Sequence, residues 1–176
     1  MEPNKIANGV IWITGLPASG KTTLALELKN RLILHDLDVE ILDGDIARIK
    51  NSQDLGFSVK DREENIRRAA IMAKRIIKKN KIVVAAFITP TAKTRKIARD
   101  IIHPDKFFEV YLSTPLSVCE SRDPKQLYKR ARMGLIKEFT GISARYEVPI
   151  EPDISINTDS LSVGDAADLI LRQILS

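Results

Sequence analysis

The stretch GLPASGKT, Gly15 to Thr22, directly follows the apolar run Val10, Ile11, Trp12 and Ile13. Glycines at 15 and 20 followed by Lys21 and Thr22 keep the spacing of a phosphate loop, in which backbone N–H groups wrap a polyphosphate and the lysine ammonium reaches its terminal groups. The pattern needs a strand before it and a helix after it, and both are legible here. It points to a nucleotide and leaves the reaction open.

The rest of the chain alternates short β-branched runs with longer amphipathic stretches, which predicts a parallel sheet covered by helices on both faces. Strands are expected at Gly9 to Thr14, Val39 to Asp43, Ile82 to Thr89, Phe107 to Ser113 and Asp153 to Asn157, their near-continuous apolar character suiting burial on both faces. Between them Leu24, Leu28 and Leu32 mark a helix over Lys21 to His35, and Ile66, Ala69, Ala70, Ala73, Ile76 and Ile77 mark another over Lys60 to Lys79. Thr91 to Ile102 and Leu161 to Leu175 read the same way. The expected fold class is therefore α/β, a three-layer sheet of the phosphate-loop type, in a single domain over residues 1–176, a length that fills one core and is short for two.

One region breaks the rhythm. Arg122 to Pro152 is long and basic and shows no strand pattern, although DPKQLYKRARMG within it reads as helix. Such an insertion before the last strand of a nucleotide-binding sheet is expected to act as a lid. The net charge of +5 invites a nucleic-acid partner, but the basic residues are scattered and no aromatic residues interleave with them as stacking platforms. Neither nucleic acid nor membrane is an expected partner: no apolar stretch approaches the ~20 residues of a membrane span, and MEPNKIANG has no apolar core for a secretory signal. A cytoplasmic protein is expected, with the lone Cys119 a small buried hydrophobe.

By the general mechanics of phosphate loops, Lys21 neutralises the β- and γ-phosphates, Thr22 offers its hydroxyl to Mg²⁺, and the helix beginning near Gly20 turns its positive end to the phosphates. ILDGDIAR, Ile41 to Arg48, closes the second strand, whose carboxyl end should face the same crevice. Of its two carboxylates, one could hold Mg²⁺ and the other accept a proton from an attacking hydroxyl. Equally, Asp45 could simply cap the following helix.

The ordered set GLPASGKTT, LDGD, DLGFS followed by DREENIRR, AAFITP, EVYLSTPLSVCESRDPKQLYKRAR and IKEFTGI resembles the adenylylsulfate kinase family, from about Ile11 to Thr158. The resemblance implies transfer of the ATP γ-phosphate to the ribose 3′-hydroxyl of adenosine 5′-phosphosulfate, with Mg²⁺ as cofactor and a homodimer as the assembly. It implies ATP contacts at Gly15, Pro17, Ala18, Ser19, Gly20, Lys21, Thr22, Thr23, Arg122 and Arg130, and metal contacts at Thr22 and Asp43. Asp45 matches the family's general base, working with Lys21. Arg48, Arg62 and Asn65 match residues that hold the anionic groups of the acceptor, a task suited to forked guanidinium donors. Phe57 and Phe139 match an aromatic pair around the acceptor adenine, and Ile88, Thr89 and Lys137 complete the acceptor side. Phe57 could alternatively anchor a polar loop in the core, and for Lys125, Lys129 and Arg132 a solvated helix face is the preferred expectation.

Three positions depart from the family pattern. Ile46 stands where Asn is expected after DGD, and ITPTA, Ile88 to Ala92, replaces ISPY followed by Arg, so Thr91 and Ala92 lack the usual Tyr and Arg. These departures motivate an alternative, a kinase of the same build acting on a different modified nucleotide. A nucleotide-dependent switch is a third reading, opposed by the lack of an Asn-Lys-x-Asp motif; a nucleic-acid-binding protein is a fourth, resting on charge alone.

Overall fold

The structure is a computed structural model that describes residues 8–175, the side chains of residues 48–51 excepted. β1 (Val10–Gly15) lies at the centre of a parallel sheet between β3 (Ile82–Ala86) and β4 (Phe107–Leu112). The edges are β2 (Val39–Asp43), beside β3, and β5 (Ile154–Ile156), beside β4, giving five strands among the described residues. Register aligns Asp43 with Ala86 and Ala86 with Ile13. The acidic end of β2 and the phosphate loop therefore open at the same edge of the sheet.

Strand alternation sends Ile11 and Ile13 to one face and Val10 and Trp12 to the other. On the first face, α1 (Lys21–Leu34) and α7 (Val163–Leu175) bring Leu24, Leu28, Leu32, Ile170 and Ile174 into one core cluster with Ile11, Ile13, Val84 and Val110. On the second, α3 (Val59–Ile77) and α4 (Ala92–Ile102) bring Ile66, Ala70, Ala73, Ala98 and Ile102 against Val10, Trp12, Val83 and Ala85. Each fully buried large aliphatic chain contributes roughly 1.5–3 kcal/mol, so both faces must be covered for the sheet to persist. Trp12, fully buried, stacks on Phe87 and Phe107 at centroid distances of 5.2 and 5.7 Å.

The strand boundaries differ from expectation for local reasons. β3 ends at Ala86 instead of running to Thr89, because Thr89 takes a left-handed backbone (φ 46°) that cannot continue a pleat, and Pro90 has no N–H to pair. The edge strands β2 and β5 are only partly buried, unlike β1 and β3. The helix considered after ILDGD is α2 (Gly44–Asn51), and it starts directly after β2 because the Asp43 side chain accepts hydrogen bonds from the N–H groups of Asp45 and Ile46.

The long basic connection holds α5 (Leu116–Arg122) and α6 (Leu127–Arg132), then irregular chain with one isolated bridge, Thr140 to Ala144. Helix is confined to six residues of DPKQLYKRARMG. The Asp123 carboxylate caps the start by accepting from Tyr128 N–H and Lys129 N–H at 3.0 Å each, and Gly134 at φ 72° follows the end. A satellite core of Cys119, Tyr128, Ala131 and Phe139 packs against Leu16 and Ala18 of the phosphate loop. No described helix is long and apolar enough to cross a membrane.

Candidate active site

The phosphate loop has the geometry its spacing demands. Gly20 adopts φ 97° as the N-cap of α1, and a Cβ on Gly15 would come within 2.8 Å of Ser19 Oγ and 3.1 Å of Leu112 Cβ. Lys21 folds back over the loop, donating to the carbonyl oxygens of Gly15 (3.0 Å) and Leu16 (2.6 Å). Burial pushes its ammonium down to about 8, although the side chain still borders the open cavity. An ammonium partly stripped of water is poised to gain from an arriving polyanion.

Thr22 Oγ1 donates to Asp43 Oδ2 at 2.7 Å, while Asp43 Oδ1 accepts from Asp45 N–H at 2.9 Å. The cap of α2 is thus Asp43, and the capping role considered for Asp45 falls away. Asp45 is exposed at the cavity, where its carboxylate pairs with Lys125 Nζ. Lys125 sits in the basic connection just before α6, and its contact with Asp45 overturns its expected place on a solvated helix face.

A cavity of about 940 Å³ opens beside these groups. Of the residues expected to bind, Pro17, Ala18, Gly20, Lys21, Thr22, Thr23, Asp43, Asp45, Phe57, Arg62, Asn65, Ile88, Thr89, Arg122, Lys137 and Phe139 line it. Gly15 and Ser19 are buried behind the loop, and Arg130 is exposed on α6 away from the lining. The side chain of Arg48 lies outside the described residues.

Several lining side chains are already engaged with protein. Arg62 donates from Nε to the Phe57 carbonyl (2.8 Å), from Nη1 to Thr140 Oγ1 (2.7 Å) and from Nη2 to the Glu138 carbonyl, tying the DLGFS loop to the IKEFTG segment. Arg122 grips Thr158 through its hydroxyl and carbonyl, both at 2.8 Å. Phe57 is 58% exposed, whereas Phe139 is 9% exposed and meets Tyr128 edge-on at 5.0 Å. The Thr89 hydroxyl accepts from the Trp12 indole N–H at 2.9 Å. Asn65 is different: it is buried at the cavity, and its Oδ1 has no hydrogen-bond partner. A buried carbonyl oxygen in that state has an unmet need for a donor.

The departures at Thr91 and Ala92 lie off the cavity. Thr91 caps α4 in a reciprocal box with Thr94, and Ala92 N–H donates to Glu147 Oε2 at 2.8 Å. Ile46, by contrast, lines the cavity. Sequence reasoning missed Thr158, whose hydroxyl donates to the Ser19 carbonyl at 2.9 Å, and Tyr128, whose hydroxyl donates to the Pro17 carbonyl at 2.9 Å. Thr158 follows β5 at the carboxyl edge and was findable on that ground; nothing local to Tyr128 signals a contact 111 residues away.

Comparison with known proteins agrees with this arrangement. The family described as adenylylsulphate kinase matches residues 7–157. The probable adenylyl-sulfate kinase of Bacillus subtilis is 45% identical over 163 residues, covering 93% of this chain and 82% of that protein. The adenylyl-sulfate kinase of Bacteroides fragilis is 46% identical over 166 residues, 94% of this chain and 82% of that one. Among solved structures, the Mycobacterium tuberculosis APS kinase CysC in complex with AMPPNP and APS superposes with a TM-score of 0.93 at 36% identity, over 97% of this chain and 99% of that chain. With a phosphate loop, a capped acidic turn and a basic connection placed around one cavity, and relatives of this similarity along nearly its whole length, the chain belongs to the adenylylsulfate kinase family.

Proposed function

We propose that this chain transfers the γ-phosphate of ATP to the ribose 3′-hydroxyl of adenosine 5′-phosphosulfate, giving 3′-phosphoadenosine 5′-phosphosulfate and ADP. The observation that carries the reading is the exposed Asp45 carboxylate at the same cavity as Lys21, with the capping duty that could have consumed it taken by Asp43. In the reaction the 3′-oxygen bonds to the γ-phosphorus, the bond from that phosphorus to the β–γ bridging oxygen breaks, and the hydroxyl proton passes to Asp45. Lys21 and the N-terminus of α1 hold the β- and γ-phosphates. The unpartnered Asn65 Oδ1 suits the acceptor, whose ribose hydroxyls and adenine amino group are donors.

Thr22 Oγ1 and Asp43 offer hard oxygen atoms side by side, which fits Mg²⁺. No group of three metal-binding side chains occurs among the described residues, and Mg²⁺ characteristically takes one or two protein oxygens and completes its shell with phosphate and water. Bound there, Mg²⁺ would neutralise charge growing on the leaving ADP. The basic connection acts as the lid, with Arg62 joining it to the DLGFS loop so that Phe57 and Phe139 flank the acceptor adenine. A homodimer in the cytoplasm completes the reading; light scattering of the purified protein checks the assembly.

Ile46 at the cavity supports a second reading, another nucleotide as acceptor. Steady-state ADP release from Mg-ATP, with adenosine 5′-phosphosulfate competing against adenosine 5′-phosphate and other 5′-modified adenylates, separates the two. The proposal expects the phosphosulfate to have the highest kcat/KM; a higher value for any competitor replaces it with the second reading.

A further inference from the structure

The cavity wall formed by Ile88, Thr89 and Pro90 is bent into an unfavourable conformation. Thr89 is β-branched and buried, yet holds φ 46°, a region such residues avoid. Such a conformation persists only where neighbouring groups over-determine it. Here they come from three parts of the chain.

From β1, the Trp12 indole fixes the Thr89 hydroxyl, and Thr14 Oγ1 donates to the Ile88 carbonyl at 2.6 Å. From α4, Arg95 Nη1 donates to the Thr89 carbonyl at 3.3 Å. The third source is the limb by which the long basic connection returns to the sheet. Tyr146 and Thr14 share a hydroxyl contact of 2.9 Å, and Glu147 N–H donates to the Pro90 carbonyl at 2.7 Å. Because the single Thr14 proton points to Ile88, Tyr146 is the donor of the pair, and a two-hydroxyl chain runs from Tyr146 through Thr14 to the wall. Burial pushes the Tyr146 phenol up, so it keeps the proton that this chain needs. Its ring is held independently, stacked on Tyr111 at 6.1 Å.

The wall follows β3, next to Asp43 and Asp45 at the end of β2; Arg122 and Thr158 lie across β1, beyond β4 and β5. β3 lies between β1 and β2, so the wall borders the phosphate loop on one side and Asp43 and Asp45 on the other; Ile88 and Thr89 line the cavity where the acceptor is expected. We infer that Tyr146 and Thr14 are positioning residues for the acceptor: through their shared hydroxyl chain the returning limb of the basic connection sets the Ile88–Pro90 wall. The inference rests on the adenylylsulfate reading for the identity of the acceptor.

The test uses Tyr146→Phe, which keeps the ring on Tyr111, together with Thr14→Val, the double variant and Thr14→Ser. Steady-state kinetics with Mg-ATP and adenosine 5′-phosphosulfate are read alongside thermal melting. Tyr146→Phe and Thr14→Val are each expected to raise the acceptor KM about fivefold, the factor one net hydrogen bond carries, while the ATP KM stays within about twofold. The double variant should be no worse than Thr14→Val, since both sever one chain, and Thr14→Ser should restore the wild-type acceptor KM. Equal changes in both KM values, an unchanged acceptor KM, or additive losses in the double variant overturn the inference and leave the adenylylsulfate reading standing. Wild-type protein without turnover on adenosine 5′-phosphosulfate overturns both together.

Discussion

Lys21 makes nucleotide affinity depend on pH in a direction the structure fixes. Burial holds the ligand-free ammonium near 8, against an ordinary value of 10.5. A polyphosphate raises it again by supplying negative charge, so above about pH 8 the protein must take up a proton to bind. With a ligand-free value of about 8, roughly nine-tenths of Lys21 is charged at pH 7 and roughly one-tenth at pH 9, and the association constant should fall about tenfold between them. Isothermal titration with Mg-ADP, whose metal-bound phosphates stay ionised across this range, measures it, and buffers of differing ionisation enthalpy count the proton directly. Lys21→Arg keeps its charge at every pH and should remove the slope, whatever it does to the absolute affinity. Stability runs the opposite way. A lysine whose folded pKa lies below its unfolded value costs stability at low pH, and that cost is relieved as pH rises from about 8 to 10.5. The ligand-free wild type should therefore gain melting temperature relative to Lys21→Met over that window. A wild-type affinity that is flat between pH 7 and 9 refutes the reasoning.

Asp45→Ala should lower kcat by at least about a hundredfold while ADP affinity persists, because only the proton acceptor is lost; near-normal turnover would remove Asp45 from that role. Phe139→Ala should cost about 3 kcal/mol of stability in denaturant titration, as expected for emptying a buried aromatic site. It should also raise the acceptor KM more than the ATP KM, and an equal rise in both would assign Phe139 to packing alone. Thr91→Ala should lower stability by about 1 kcal/mol through loss of the α4 cap, with the acceptor KM unchanged; a raised acceptor KM would bring that departure into the site.

What was legible in the sequence is what short-range chemistry determines. The phosphate loop, the leucines of α1 and the alanine-rich face of α3 are written in spacing alone, and the parallel sheet follows from the alternation they create. The shortfall of β3 was not legible, because the left-handed turn at Thr89 is imposed by Trp12 and Arg95, distant from it in sequence or on another element. Asp43 and Asp45 illustrate the same limit at the site. Two carboxylates two residues apart look interchangeable until the backbone N–H groups of α2 select Asp43, leaving Asp45 at the cavity. Lys125 resembled every other lysine in a basic stretch, and only the fold brings it across 80 residues to Asp45. Thr91 and Ala92 show the converse: a departure conspicuous in sequence proves to start a helix away from the cavity.

The central claim is that the phosphate leaves ATP for the 3′-oxygen of adenosine 5′-phosphosulfate. Phosphorus NMR of the products from wild-type protein, Mg-ATP and that acceptor tests it most directly. ADP and a new phosphomonoester coupled to the ribose 3′-proton should form in equal amounts, both at least about a hundredfold more slowly in Asp45→Ala. ADP with free phosphate and an unchanged acceptor, or a phosphomonoester at another position, would contradict it.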